Sequence, residues 1–120
     1  MKNSKNEIAE RTFDFSLAVI ACYQNLPKND LHRILGKQIL RCGTSVGANV
    51  HEAQAAQSKA DFIAKMSIAH KEARETAYWL RLFQRAALHS SAELKGLADE
   101  VEQIIKMLSA ILLTSKKKNS

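Results

Sequence analysis

The sequence predicts an all-α domain of four antiparallel helices. Breakers are scarce: one Pro and four Gly occur in 120 residues, which favours long uninterrupted helices. Apolar residues recur at spacings of three and four through four successive segments, the helical period. The connections between those segments are short, so consecutive helices must alternate in direction as an up-down-up-down bundle spanning residues 1–114. With 46% hydrophobic residues the chain can form a core without a disulfide or metal, and its length suits one domain.

Helix 1 is expected from about Ser4 to Asn25. Ile8, Phe15, Val19, Cys22 and Leu26 mark one face, and Phe13, Leu17 and Ile20 mark another. A helix apolar on two sides touches two partners. Pro27 ends it, and Asn29 or Asp30 can accept the N–H groups that open helix 2. Helix 2 extends to about Gln57, with Leu31, Leu35, Ile39, Cys42, Val46, Val50 and Ala53 on its apolar arc. Ser58 caps helix 3, with Asp61 three residues on. Helix 3 runs to about Leu88. Phe62, Met66, Ala69, Ala73, Ala77 and Leu80 form its main core face, with Ile68, Trp79, Phe83 and Ala86 as a second strip. Ser90 and Glu93 match a capping box for helix 4, whose stripe runs from Leu94 to Leu112. Residues 115–120 read as a basic, disordered tail.

Cys22 and Cys42 fall at apolar helical positions and read as reduced core thiols of a cytoplasmic protein. Residues 1–6 have no apolar run of signal-peptide type behind them, and no apolar stretch is long enough to cross a bilayer. The net charge is +6, half of it from Lys116, Lys117 and Lys118. That excess is compatible with nucleic acid but does not by itself establish it.

Two polar patterns interrupt the apolar faces. On helix 2, Arg41, Ser45, Asn49 and Glu52 form a seam at the edge of the core arc. On helix 3, Glu72 and Glu75 lie in or beside the second apolar strip. Carboxylates there need partners. Arg41 is the natural one, with Ser45 and Asn49 supplying hydrogen bonds. The group reads as a structural polar network that sets helix register or subunit contacts, with an active site as the less favoured alternative. Lys71, Arg74, Tyr78, Arg81 and Arg85 recur at spacings of three and four opposite the core of helix 3. Such a stripe is either a solvated face or a track for phosphates, with Tyr78 stacking on a base. The surplus apolar sides of helices 1 and 3 predict self-association.

Other motifs lack their context. Gly43-Thr44-Ser45-Val46-Gly47 matches G-x-S-x-G, but no strand precedes it to form the nucleophile elbow. Gly43 and Gly47 read instead as a close helix–helix approach or a bend. The two Glu-x-x-His pairs of a di-iron bundle are absent. So are metal-ligand spacing of Cys and His and a Gly-rich phosphate loop. The chain is expected to be no enzyme, with no cofactor.

The segment Arg41-Cys42-Gly43-Thr44-Ser45-Val46-Gly47-Ala48-Asn49-Val50-His51-Glu52-Ala53 resembles the signature of the four-helix-bundle proteins encoded in intervening sequences of bacterial 23S ribosomal RNA genes. Lys59-Ala60-Asp61-Phe62 and Ile68-Ala69-His70-Lys71-Glu72-Ala73-Arg74-Glu75-Thr76-Ala77-Tyr78-Trp79-Leu80 continue it. Val46, Gly47 and Ala53 depart mildly from the family pattern. The resemblance implies an antiparallel bundle assembled as a homopentameric ring. It also implies kinship with retroelement accessory factors that work with reverse transcriptase and RNA. Its motif positions are Arg41, Ser45, Asn49, Glu52, Asp61, Phe62, Glu72 and Glu75. Two functions follow as expectations: a non-catalytic oligomer associated with RNA through the helix 3 stripe, or a protein-interaction scaffold, including a reverse-transcriptase accessory without RNA affinity of its own.

Overall fold

The computed structural model describes residues 4–89 and 91–117. Among them are four α-helices and no strand: α1 (Ser4–Gln24), α2 (Asp30–Gln54), α3 (Lys59–Arg85) and α4 (Ala92–Lys117). Each helix packs on two others: α1 on α2 and α4, and α3 on α2 and α4. The result is a bundle 50 Å long and 22–24 Å across.

Local chemistry sets the ends. Asn29 caps α2 by accepting the His32 N–H at 3.0 Å, and Ser58 caps α3 by accepting the Asp61 N–H at 3.0 Å. These satisfy N–H groups that have no intrahelical partner. α3 ends as a Schellman motif: the Leu88 N–H returns to the Phe83 carbonyl and the Ala87 N–H to Gln84. Ala87 there adopts φ 55°, the left-handed region. His32 Nε2 donates to the Leu88 carbonyl oxygen at 2.5 Å, tying the start of α2 to the α3–α4 connection.

Several boundaries differ from the sequence expectation. α2 stops at Gln54 and α3 at Arg85. Ser91, not Ser90, caps α4, since its Oγ accepts the Leu94 N–H at 3.0 Å. Ser90 lies outside the described residues. Glu93 therefore sits one position too early for a capping box, and lies instead by the Asn25 amide just past α1, at 3.4 Å. α4 continues to Lys117, so residues 115–117, assigned to a tail from composition, are helical. The rest of that tail, residues 118–120, lies outside the described residues.

The core contains the expected stripes: Ile8, Phe15, Val19 and Cys22 of α1; Ile39, Cys42, Val46 and Val50 of α2; Met66, Ala69, Ala73 and Leu80 of α3; and Leu94 to Leu108 of α4. Phe83, placed in a second strip from the sequence, is fully buried in this core, whereas Ala86 is exposed. Leu31, expected on the core arc of α2, is 52% exposed. Thr12 and Thr76 are buried, and each hydroxyl donates to the carbonyl four residues back, Ile8 and Glu72, at 2.7 Å. That bond removes the cost of burying an unsatisfied hydroxyl.

Gly36, Gly43 and Gly47 face α1. A Cβ at Gly36 would meet Leu26 and Tyr23, one at Gly43 would meet Val19, and one at Gly47 would meet Thr12 and Ser16. The two glycines of the G-x-S-x-G match thus serve close helix packing.

Candidate functional site

The seam brings together three of its six predicted residues. Arg41 of α2 reaches α3, where one guanidinium nitrogen lies 3.5 Å from Glu72 and another bonds Glu75. Trp79 donates its indole N–H to the same Glu75 oxygen at 3.1 Å, and Gln38 accepts from Arg41 at 3.2 Å. Desolvation of Arg41 is outweighed by the charge and hydrogen bond of Glu75, with Glu72 adding, so its guanidinium pKa is raised. Ser45 and Asn49 do not join this cluster. The Ser45 hydroxyl donates to the Arg41 carbonyl at 2.7 Å and the Asn49 amide to the Ser45 carbonyl at 2.9 Å, both within α2. Glu52 is exposed and forms no ion pair with the cluster. Backbone carbonyls one turn back capture both side chains. Gln38 and Trp79 were missed as partners, although Gln38 stands one turn before Arg41 and Trp79 one turn after Glu75.

On another face of α3, Lys71, Arg74, Arg81 and Arg85 are exposed, and Tyr78 is 59% exposed beside the Trp79 ring. The six arginines of the chain divide sharply. Arg11 pairs with Glu100 at 2.5 Å, Arg33 with Asp30 at 2.5 Å, and Arg41 with Glu72 and Glu75. Among the described residues Arg74, Arg81 and Arg85, all on this stripe, form no ion pair, and neither does Lys71.

Arg74, Tyr78 and Arg81 also form one wall of a groove between α3 and α4, with a volume of about 530 Å³. Its floor includes the small side chains Ala77 and Ala98, and α4 supplies Lys95, Asp99 and Glu102. Lys95 is bound to Asp99 at 2.9 Å. The α4 residues escaped sequence reasoning because the register of α4 against α3 leaves no local signature. His70, one turn before Arg74, meets Ser109 of α4 at 2.9 Å. Desolvation, with Arg74 and Lys116 adding, lowers its pKa.

The thiols are free and buried. Burial pushes Cys22 up to about 11, with the charge of Glu93 adding, and burial also raises Cys42. Neither is a ready nucleophile at neutral pH. Among the described residues no helix is long and apolar enough to cross a membrane.

Four long helices with an ion-paired seam on one side and an uncommitted cationic strip on another define a small all-α bundle protein. Residues 4–110 match the model of the 23S rRNA-intervening sequence protein family, and the chain belongs to that family. A crystal structure of a protein of unknown function from the S23 ribosomal protein family of Bacteroides thetaiotaomicron is similar, with 37% identity and a TM-score of 0.85. The match covers 92% of this chain and 98% of that one. No curated protein matches the chain.

Proposed function

We propose that the protein is a non-catalytic, self-associating helical bundle of the cytoplasm that binds RNA through the exposed stripe of α3. The observation that carries this reading is the division of the arginines. Those on α1 and α2 are tied to carboxylates, whereas Arg74, Arg81 and Arg85 stand free in a row with Lys71 and Tyr78. Uncommitted cations along about 21 Å of helix can displace counterions from a phosphate backbone, and an exposed aromatic among them can stack on a base. Glu72 and Glu75, the carboxylates best placed for acid–base chemistry, are held by Arg41 and Trp79, which supports the non-catalytic reading. Titration with structured RNA over a salt series tests it: affinity should fall steeply with salt, and no affinity at low salt would overturn it.

In this reading the helices alternate in direction, as the descending register of Gly36, Gly43 and Gly47 against Leu26, Val19 and Thr12 supports. Phe13, Leu17 and Ile20 form an apolar row on the outside of α1, 64%, 54% and 40% exposed, and Leu31 and Ile34 are exposed on α2. These favour assembly with further copies, for which the family resemblance proposes a ring of five. Light scattering in solution should give five times the 13.4 kDa of one chain, and a monomer would contradict the assembly. The same apolar row favours a second reading, a scaffold for a protein partner such as a reverse transcriptase. That reading predicts partner capture insensitive to salt and no RNA in purified protein.

A further inference from the structure

We infer that the α3/α4 groove is a subsite for one unpaired guanine base of single-stranded RNA, with Glu102 reading its Watson–Crick edge. The inference rests on the RNA-binding reading above and adds the base that the groove selects. A surface built only to hold phosphate would exclude carboxylates, yet the α4 wall facing Arg74 and Arg81 carries Asp99 and Glu102. Asp99 is engaged by Lys95. Glu102 is exposed and, among the described residues, forms no ion pair, so both its oxygens are available as acceptors. Guanine alone among the four bases presents two adjacent N–H donors, N1–H and N2–H, which a carboxylate accepts as a bidentate pair. Adenine and cytosine offer a donor beside an acceptor, and uracil offers one donor between two acceptors, so each would set a lone pair against the carboxylate.

The rest of the groove suits a base and its flanking phosphates. Ala77 and Ala98 leave room on the floor, and the volume of about 530 Å³ falls within the range of ligand clefts. Tyr78 is exposed at the rim for stacking. Arg74 and Arg81 stand one turn to either side of it, placed for the phosphates before and after the base. Because a paired guanine has its Watson–Crick edge occupied, the site requires an unpaired nucleotide.

The test is fluorescence anisotropy at low salt with labelled oligouridines about ten nucleotides long, in which one central base is U, A, C or G. The G-containing oligomer should bind at least about fivefold more tightly than the others, the lower end of what a bidentate base contact contributes. Glu102→Gln, an exposed change whose folding is checked by circular dichroism, should erase that preference while leaving the all-U oligomer bound as well or better. Equal affinity for all four, or a G preference that survives in Glu102→Gln, overturns the inference and leaves RNA binding standing. No binding of any oligomer also overturns the inference, and the RNA reading then rests on the structured-RNA titration alone.

Discussion

The Arg41 guanidinium of α2 bonds the Glu75 carboxylate of α3 at the same oxygen that accepts the Trp79 indole N–H at 3.1 Å. Glu72, whose side chain is only 15% exposed, lies 3.5 Å from the same guanidinium. Arg41→Gln therefore leaves two neighbouring carboxylates without their cation. The expected loss is about 1 kcal/mol, above most exposed pairs because Glu72 is largely shielded. Urea denaturation measures it. Glu75→Gln should cost less in the Arg41→Gln background than alone, whereas strict additivity would show that the pair is not coupled.

Two glycines give opposite expectations for the same substitution. A Cβ at Gly47 would stand 2.9 Å from the Thr12 carbonyl oxygen and 3.2 Å from its carbon, backbone atoms that cannot swing aside. Gly47→Ala should cost about 1–3 kcal/mol by forcing α1 and α2 apart. Gly96 lies in the helical run of α4 with nothing within 4 Å of the position a Cβ would take. Gly96→Ala should stabilise by about 0.5–1 kcal/mol through helix propensity. Thermal denaturation of the two variants should move in opposite directions.

Ala87 holds φ 55° where α3 ends, a conformation that costs a β-carbon-bearing residue energy and glycine very little. Ala87→Gly should raise stability by about 0.5–1 kcal/mol. A lower melting temperature would show that the Schellman turn is not maintained in solution.

The pKa of His70 is lowered in the folded protein by desolvation and by the charges of Arg74 and Lys116. The unfolded chain then binds the proton more readily than the folded one. Stability should be fully present above the ordinary histidine value of 6.5 and fall as pH drops through and below it. His70→Gln can keep a bond to Ser109 without titrating, and should flatten that part of the stability–pH curve. An unchanged curve would place the acid sensitivity elsewhere.

Most of the fold was legible in the sequence because helical periodicity and capping are local. Asn29, Ser58 and the stripe of α4 each act within a few residues. The errors lie where tertiary packing decides. Phe83 fits either strip by its angle and is drawn into the core by the neighbouring helices. Ser90 and Ser91 are equally good caps by residue type, and Ser91 is the one that accepts the Leu94 N–H. Of the seam, Arg41, Glu72 and Glu75 were legible as opposite charges facing one another. Ser45 and Asn49 instead bond carbonyls of their own helix, which the charge pattern does not signal. The stripe of α3 was legible as a period, but the carboxylates facing it from α4 depend on a long-range register that no spacing reveals.

If the unpaired arginines of α3 make the RNA contact, salt titration of stripe variants will show it. RNA affinity should be measured as a function of salt for the natural chain, for Arg74→Gln/Arg81→Gln/Arg85→Gln, and for Arg33→Gln, whose arginine is already paired with Asp30. The triple variant should bind weakly and lose about two from the slope of log affinity against log salt, at ~0.7 per phosphate contact on single strands. Arg33→Gln should keep the original slope. Equal slopes for all three proteins would show that these arginines do not contact the phosphates.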